Sequence, residues 1–85
     1  MSANIDNKLR GPGAYALARE VVEAMEAHQV WPTPVNFELW THFVAEPDSE
    51  LGREITRLIS VGEAFTDHLA DELAALLAEA ELDRP

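Results

Sequence analysis

The side chains best suited to metal or proton chemistry near neutral pH are His28, His42 and His68, because the chain has no cysteine. They fall on three separate predicted helices, and no two are spaced i, i+3 or i+4, so they do not assemble a ligand set. Glu38 and Glu46 stand one turn either side of His42, the spacing of helix-surface pairing. Asp48-Ser49-Glu50 lacks the glycine and the ligand spacing of a calcium loop. Gly11 and Gly13 precede a helix but follow no strand, so they do not make a phosphate-binding loop. Ser2, Ser49 and Ser60 have no nucleophile-elbow context. The carboxylates are spread over polar helix faces and do not pair in a cleft. These patterns predict no catalytic residue, no metal site and no cofactor, and therefore a chain that is not an enzyme by itself.

The bulk properties narrow the partners. Eighty-five residues make one domain with a modest core. The apolar fraction of 47% belongs to a folded chain. Sixteen acidic against six basic side chains give a formal charge of −10. That charge repels phosphate backbones and anionic lipid, which argues against nucleic acid and membrane insertion. No apolar run approaches the roughly 20 residues of a membrane helix, and the start of the chain has no signal-peptide pattern. A cytoplasmic location is the default expectation.

The elements are organised around Val30-Trp31-Pro32-Thr33-Pro34-Val35-Asn36-Phe37-Glu38-Leu39-Trp40. Pro34 suits the first position of a helix, where its missing N–H is no loss. Thr33, pushed to extended geometry by that proline, is the natural N-cap. The helix from Thr33 to Ala45 has two apolar sides, Phe37/Trp40/Val44 and Leu39/Phe43, well over 100° apart. Such a helix must be covered on two sides. Residues 1–12 read as a mobile arm ending in Gly11-Pro12-Gly13, and residues 13–82 as the helical domain. Helix periodicity predicts a first helix over 13–29, with Val21 and Met25 inward. A third helix, capped by Asp48 or Ser49 and closed by Gly62, carries Leu51, Ile55 and Leu58 on one stripe. A fourth, capped by Thr66, carries Leu69, Leu73, Leu76, Leu77 and Ala80, in part at coiled-coil spacing.

The fold expectation is therefore all-α, a small bundle of four helices. Candidate core residues are Val21, Met25, Phe37, Trp40, Val44, Leu51, Ile55 and Leu58. Candidate interaction residues are Trp31, Leu39 and Phe43 around the central helix, and Leu69, Leu73, Leu76 and Ala80 on the last. For Leu39 and Phe43 the spacing leaves docking and core both open.

Tyr15-Ala16-Leu17-Ala18-Arg19, Glu23-Ala24-Met25-Glu26-Ala27-His28 and Trp31-Pro32-Thr33-Pro34 with Asn36-Phe37-Glu38-Leu39-Trp40 carry a resemblance. Together with Leu51 to Ile55 and Gly62-Glu63-Ala64-Phe65-Thr66, they resemble the short helical region ahead of the GGDEF catalytic domain in many alphaproteobacterial diguanylate cyclases. The likeness covers roughly residues 10 to 77. The chain departs from it by lacking the GGDEF signature and any Arg-x-x-Asp inhibitory pair. Phe37 stands where tyrosine is common. The resemblance implies a non-catalytic regulatory domain in cyclic-di-GMP signalling, acting by homodimerisation or by docking a partner protein, with the fourth helix as the output element. Two other readings stay open: an acidic helical adaptor for a basic partner, and a small-ligand sensor.

Overall fold

The computed structural model describes residues 7–82, with side chains as far as residue 79. Its elements are α1 (Ala14–Ala27), α2 (Pro34–Ala45), α3 (Glu50–Ser60) and α4 (Asp67–Leu82). The all-α bundle of four helices expected from the sequence is the architecture found among the described residues.

Side-chain caps start three of the helices. Thr33 is extended (φ −67°, ψ 160°), and its Oγ1 accepts from the Asn36 N–H at 3.3 Å, with Pro34 next in the chain. Ser49 Oγ accepts from the Gly52 N–H at 3.0 Å. Thr66 Oγ1 accepts from the Leu69 N–H at 3.1 Å. Each satisfies one of the donors a helix start leaves over.

The ends are less regular. α1 stops two residues before its periodicity does, because Gln29 takes a left-handed conformation (φ +57°). The Val30 N–H then donates to the Met25 carbonyl at 2.8 Å and the Gln29 N–H to the Glu26 carbonyl at 3.1 Å. This is a Schellman ending, and its usual apolar contact is supplied by Val30 and Met25, both buried. α3 ends the same way at Gly62 (φ +73°). There the Glu63 N–H donates to the Leu58 carbonyl at 3.0 Å and the Gly62 N–H to that of Ile59 at 3.1 Å.

α2 is the element the bundle is built on, since it alone packs substantially against each of the other three. Its two apolar sides are both covered: Leu39 and Trp40 are each 1% exposed. Thr41 and His42 follow them inward, so four consecutive residues are buried. Val21 and Met25 of α1 close one side, and Leu51, Ile55 and Leu58 of α3 with Ala70 and Leu73 of α4 close the rest. Phe37 and Val44, expected in the core, are half-buried and pack against it.

One expectation is corrected: Leu73, expected to dock, lies inside the bundle and is a core residue, as is Leu39, for which docking and core were both open. Periodicity gave each helix its apolar sides but not the direction they face, and α2 turns both of its own inward. In the turn before α3, the first helical residues cross the backbone of Glu46 and Pro47 so closely that only glycine fits. A Cβ on Gly52 would stand 2.5 Å from the Glu46 carbonyl oxygen and 2.7 Å from that of Pro47. Of the expected arm, residues 7–12 are described. Lys8 Nζ donates to the Ala45 carbonyl at 3.4 Å and lies 3.9 Å from Glu46 Oε2, at the end of α2. Residues 1–6 lie outside the described residues.

Candidate protein-docking face

The Schellman ending that pulls Val30 into the core leaves the next residue pointing elsewhere. Trp31 is 79% exposed, the most exposed of the large hydrophobic side chains among the described residues. Its backbone is nonetheless held. The Trp31 carbonyl accepts from Asn36 Nδ2 at 2.9 Å and from the Thr33 N–H at 2.9 Å. Asn36 is itself buried in the first turn of α2. The indole is thus carried on a fixed turn between two helix termini, which reduces the ordering it would lose on binding.

Beside Trp31 lies an open hollow of about 560 Å³. It is lined by Val22, Met25 and Glu26 of α1 and by Gln29, Val30 and Pro32 of the turn that follows. Val22 is 45% exposed there, and Tyr15, two turns back on α1, is 75% exposed. Large apolar side chains left in water beside a concavity mark an interaction surface more often than isolated surface hydrophobics do.

The other expected interaction residues sit differently. Phe43 is half-buried and meets the Trp40 ring edge-on, with centroids 5.2 Å apart; Phe65 also meets it edge-on, at 5.6 Å. His28 covers Trp40 at 5.4 Å. Leu69 and Leu76 are half-buried on α4, and Leu69 packs on the core. The side chain of Ala80 lies outside the described residues. Among the described side chains, Trp31 is therefore the one expected interaction residue that is largely exposed.

The polar groups are dispersed. His42 Nδ1 lies 3.1 Å from Glu46 Oε1, and His68 Nε2 lies 3.0 Å from Glu72 Oε1 on the surface of α4. The Glu54–Arg57 hydrogen bond holds the Glu54 carboxyl below its ordinary range and raises Arg57. Among the described residues, no three His, Asp or Glu side chains are grouped as a metal would need, and no helix is long and apolar enough to cross a membrane. The buried polar side chains of α2 carry no mark in the hydrophobic pattern. Thr41 is fully buried, its hydroxyl donating to the Phe37 carbonyl at 2.6 Å. Asn36 is the residue that fixes Trp31. Its place three residues after the Thr33 cap was the available signal.

Compared with protein-family models, with curated proteins and with solved structures, the chain has no match in any of the three.

Proposed function

We propose that this chain is a non-catalytic protein-interaction domain that regulates a diguanylate cyclase-like protein in cyclic-di-GMP signalling, in a cytoplasmic setting, by docking a partner protein or pairing with a second copy. One observation carries the docking reading: the Trp31 indole is held out into solvent on a hydrogen-bonded turn, at the lip of an apolar hollow. The cyclase assignment is supported by the residue likeness over roughly 10 to 77, whose most specific part, Pro34-x-Asn36-aromatic-Glu38-Leu39-Trp40, contains the residue that fixes Trp31. A regulatory domain ahead of a cyclase controls how two catalytic domains meet, and an exposed aromatic anchor is suited to that task.

A second reading is favoured by the formal charge of −10. On it, the chain is an adaptor for a basic partner protein, with no catalytic domain involved.

The test is to place the chain ahead of a GGDEF catalytic domain and to measure cyclic-di-GMP formation from GTP. A rate that differs from that of the bare catalytic domain, and that reverts with Trp31→Ala, is the expected result. Equal rates with and without the chain refute the regulatory reading. Light scattering over a micromolar concentration range, on the same proteins, separates pairing from partner docking.

A further inference from the structure

We propose that the hollow beside Trp40, where the ends of α1 and α3 meet α2, binds a small, neutral, planar aromatic molecule that carries a carbonyl-type hydrogen-bond acceptor. This hollow shares no lining residue with the one beside Trp31, so the site is separate from the docking face.

The hollow holds about 210 Å³. Trp40, Ile55 and Leu58, which line it, are 1%, 0% and 6% exposed. His28, Gly62, Glu63 and Ala64 also line it and are exposed. It therefore leads from the surface toward the core. An apolar cavity of about 150 Å³ takes up benzene, so on that scale the volume suits one ring with a short substituent. The surroundings suit a flat ring as well. Phe65 meets Trp40 edge-on at 5.6 Å, and His28 lies tilted against it at 5.4 Å. A further ring among these finds the same edge-on and offset arrangements. His28 and Phe65 both sit outside the helices, one just past α1 and the other on the connector into α4, so side-chain rotation admits a ligand to the indole.

One polar group selects the ligand. The Trp40 Nε1–H is buried and has no acceptor. An indole nitrogen can only donate, and a buried donor left unmet is costly. An acceptor brought in by a ligand turns that cost into a hydrogen bond, and a molecule of the same shape without the acceptor does not. Glu63 among the lining residues and the formal charge of −10 oppose an anion, while an N–H donor offers nothing to a cation. A neutral carbonyl compound remains. Once bound, it rests against Glu63, Ala64 and Phe65 and so steadies the connector that leads into α4.

The test compares acetophenone, a ring bearing a ketone, with α-methylstyrene, the same shape with a methylene group in place of the oxygen. The chain has two tryptophans, so an isotope-labelled sample gives two indole N–H signals by nuclear magnetic resonance, and Trp31→Ala, at an exposed residue, tells them apart. The expected result is a saturable downfield shift of the Trp40 signal with acetophenone, with a Kd on the order of 1 mM, while the Trp31 signal stays in place. Overhauser contacts from the probe should reach the methyl groups of Ile55, Leu58 and Ile59. α-Methylstyrene should bind at least about tenfold more weakly. A Trp40 signal that stays unmoved at about 10 mM acetophenone would overturn the proposal. Equal affinity for the two probes would remove the role of the N–H and overturn it too. Contacts to Val22 and Val30 would place the probe in the hollow beside Trp31, with the same consequence.

Discussion

The two tryptophans stand nine positions apart in the chain and should behave oppositely when truncated. An indole side chain offers on the order of 250 Å² of surface. Trp40 is 1% exposed, so nearly all of that area is buried. At ~25 cal/mol per Å² this amounts to about 6 kcal/mol, an upper value because the unfolded chain already buries part of it. Large-to-small replacement in cores costs about 3–5 kcal/mol, and the edge contacts to Phe43 and Phe65 place Trp40→Ala in the upper part of that span. A domain of this size has roughly 4–13 kcal/mol in total. Trp31, 79% exposed, buries about 50 Å², and its truncation should cost at most about 1 kcal/mol. With about 4–8 °C of melting shift per kcal/mol, Trp31→Ala should melt within about 8 °C of the wild type. Trp40→Ala should melt at least about 12 °C lower, or show no cooperative transition. Urea titration followed by far-ultraviolet circular dichroism gives the same contrast in free energy. Similar losses in the two variants would refute the placement of Trp31 outside the core, and with it the docking face.

Four further outcomes are expected. Gly52→Ala would add about 1 kcal/mol at an ordinary helix position, but here the new Cβ meets the Glu46 and Pro47 carbonyls, so a net loss of about 1–3 kcal/mol is expected, while Gly13→Ala, with open space around it, stays near neutral. Equal melting of these two variants would sink the close-approach explanation. Gln29→Gly relieves a left-handed residue at the end of α1 and should raise stability by about 0.5–1 kcal/mol; a lower melting midpoint would contradict the strain. Leu73→Ala should cost about 2–5 kcal/mol, whereas a surface residue would change little. Asn36→Ala removes a buried donor from the Trp31 carbonyl and should cost about 1–2 kcal/mol. It should also lower the fluorescence anisotropy of Trp31, and unchanged anisotropy would show that the turn is held by other means.

What was legible in the sequence was whatever local chemistry decides alone. Thr33, Ser49 and Thr66 are caps because a hydroxyl in extended geometry reaches the first-turn N–H groups, and no distant residue is needed. Gly62 ends α3 for an equally local reason. The central place of α2 followed from its two apolar sides. Three things were not legible. Gln29 carries no mark of a left-handed ending, because the signal for one is glycine or asparagine and here the burial of Val30 against Met25 drives it. Asn36, Thr41 and His42 read as surface residues in any hydrophobic pattern, and only the crowding around α2 puts them inside. The periodicity of α4 fixed its stripe but not its rotation. Ala70, too small to weigh in the pattern, is buried at 4% exposure, and Leu73 goes inward with it.

The location of the proposed docking face follows from that crowding. With Leu39 to His42 buried in succession, α2 keeps few exposed apolar side chains, Val35 among them. The free surface falls to the periphery, and α1, whose main packing is against α2, keeps an open edge. The same burial obliges α2 to hide its polar groups, and one of them, the Asn36 amide, does so by gripping the carbonyl of Trp31. Core packing and presentation of the indole therefore share a residue. A chain selected for stability alone would gain by folding Trp31 inward, since about 200 Å² of exposed indole corresponds to roughly 5 kcal/mol of unused burial at most. Instead the turn is closed by two hydrogen bonds that keep the ring in water beside an apolar hollow. That forgone stabilisation is the physical reason for assigning Trp31 a partner.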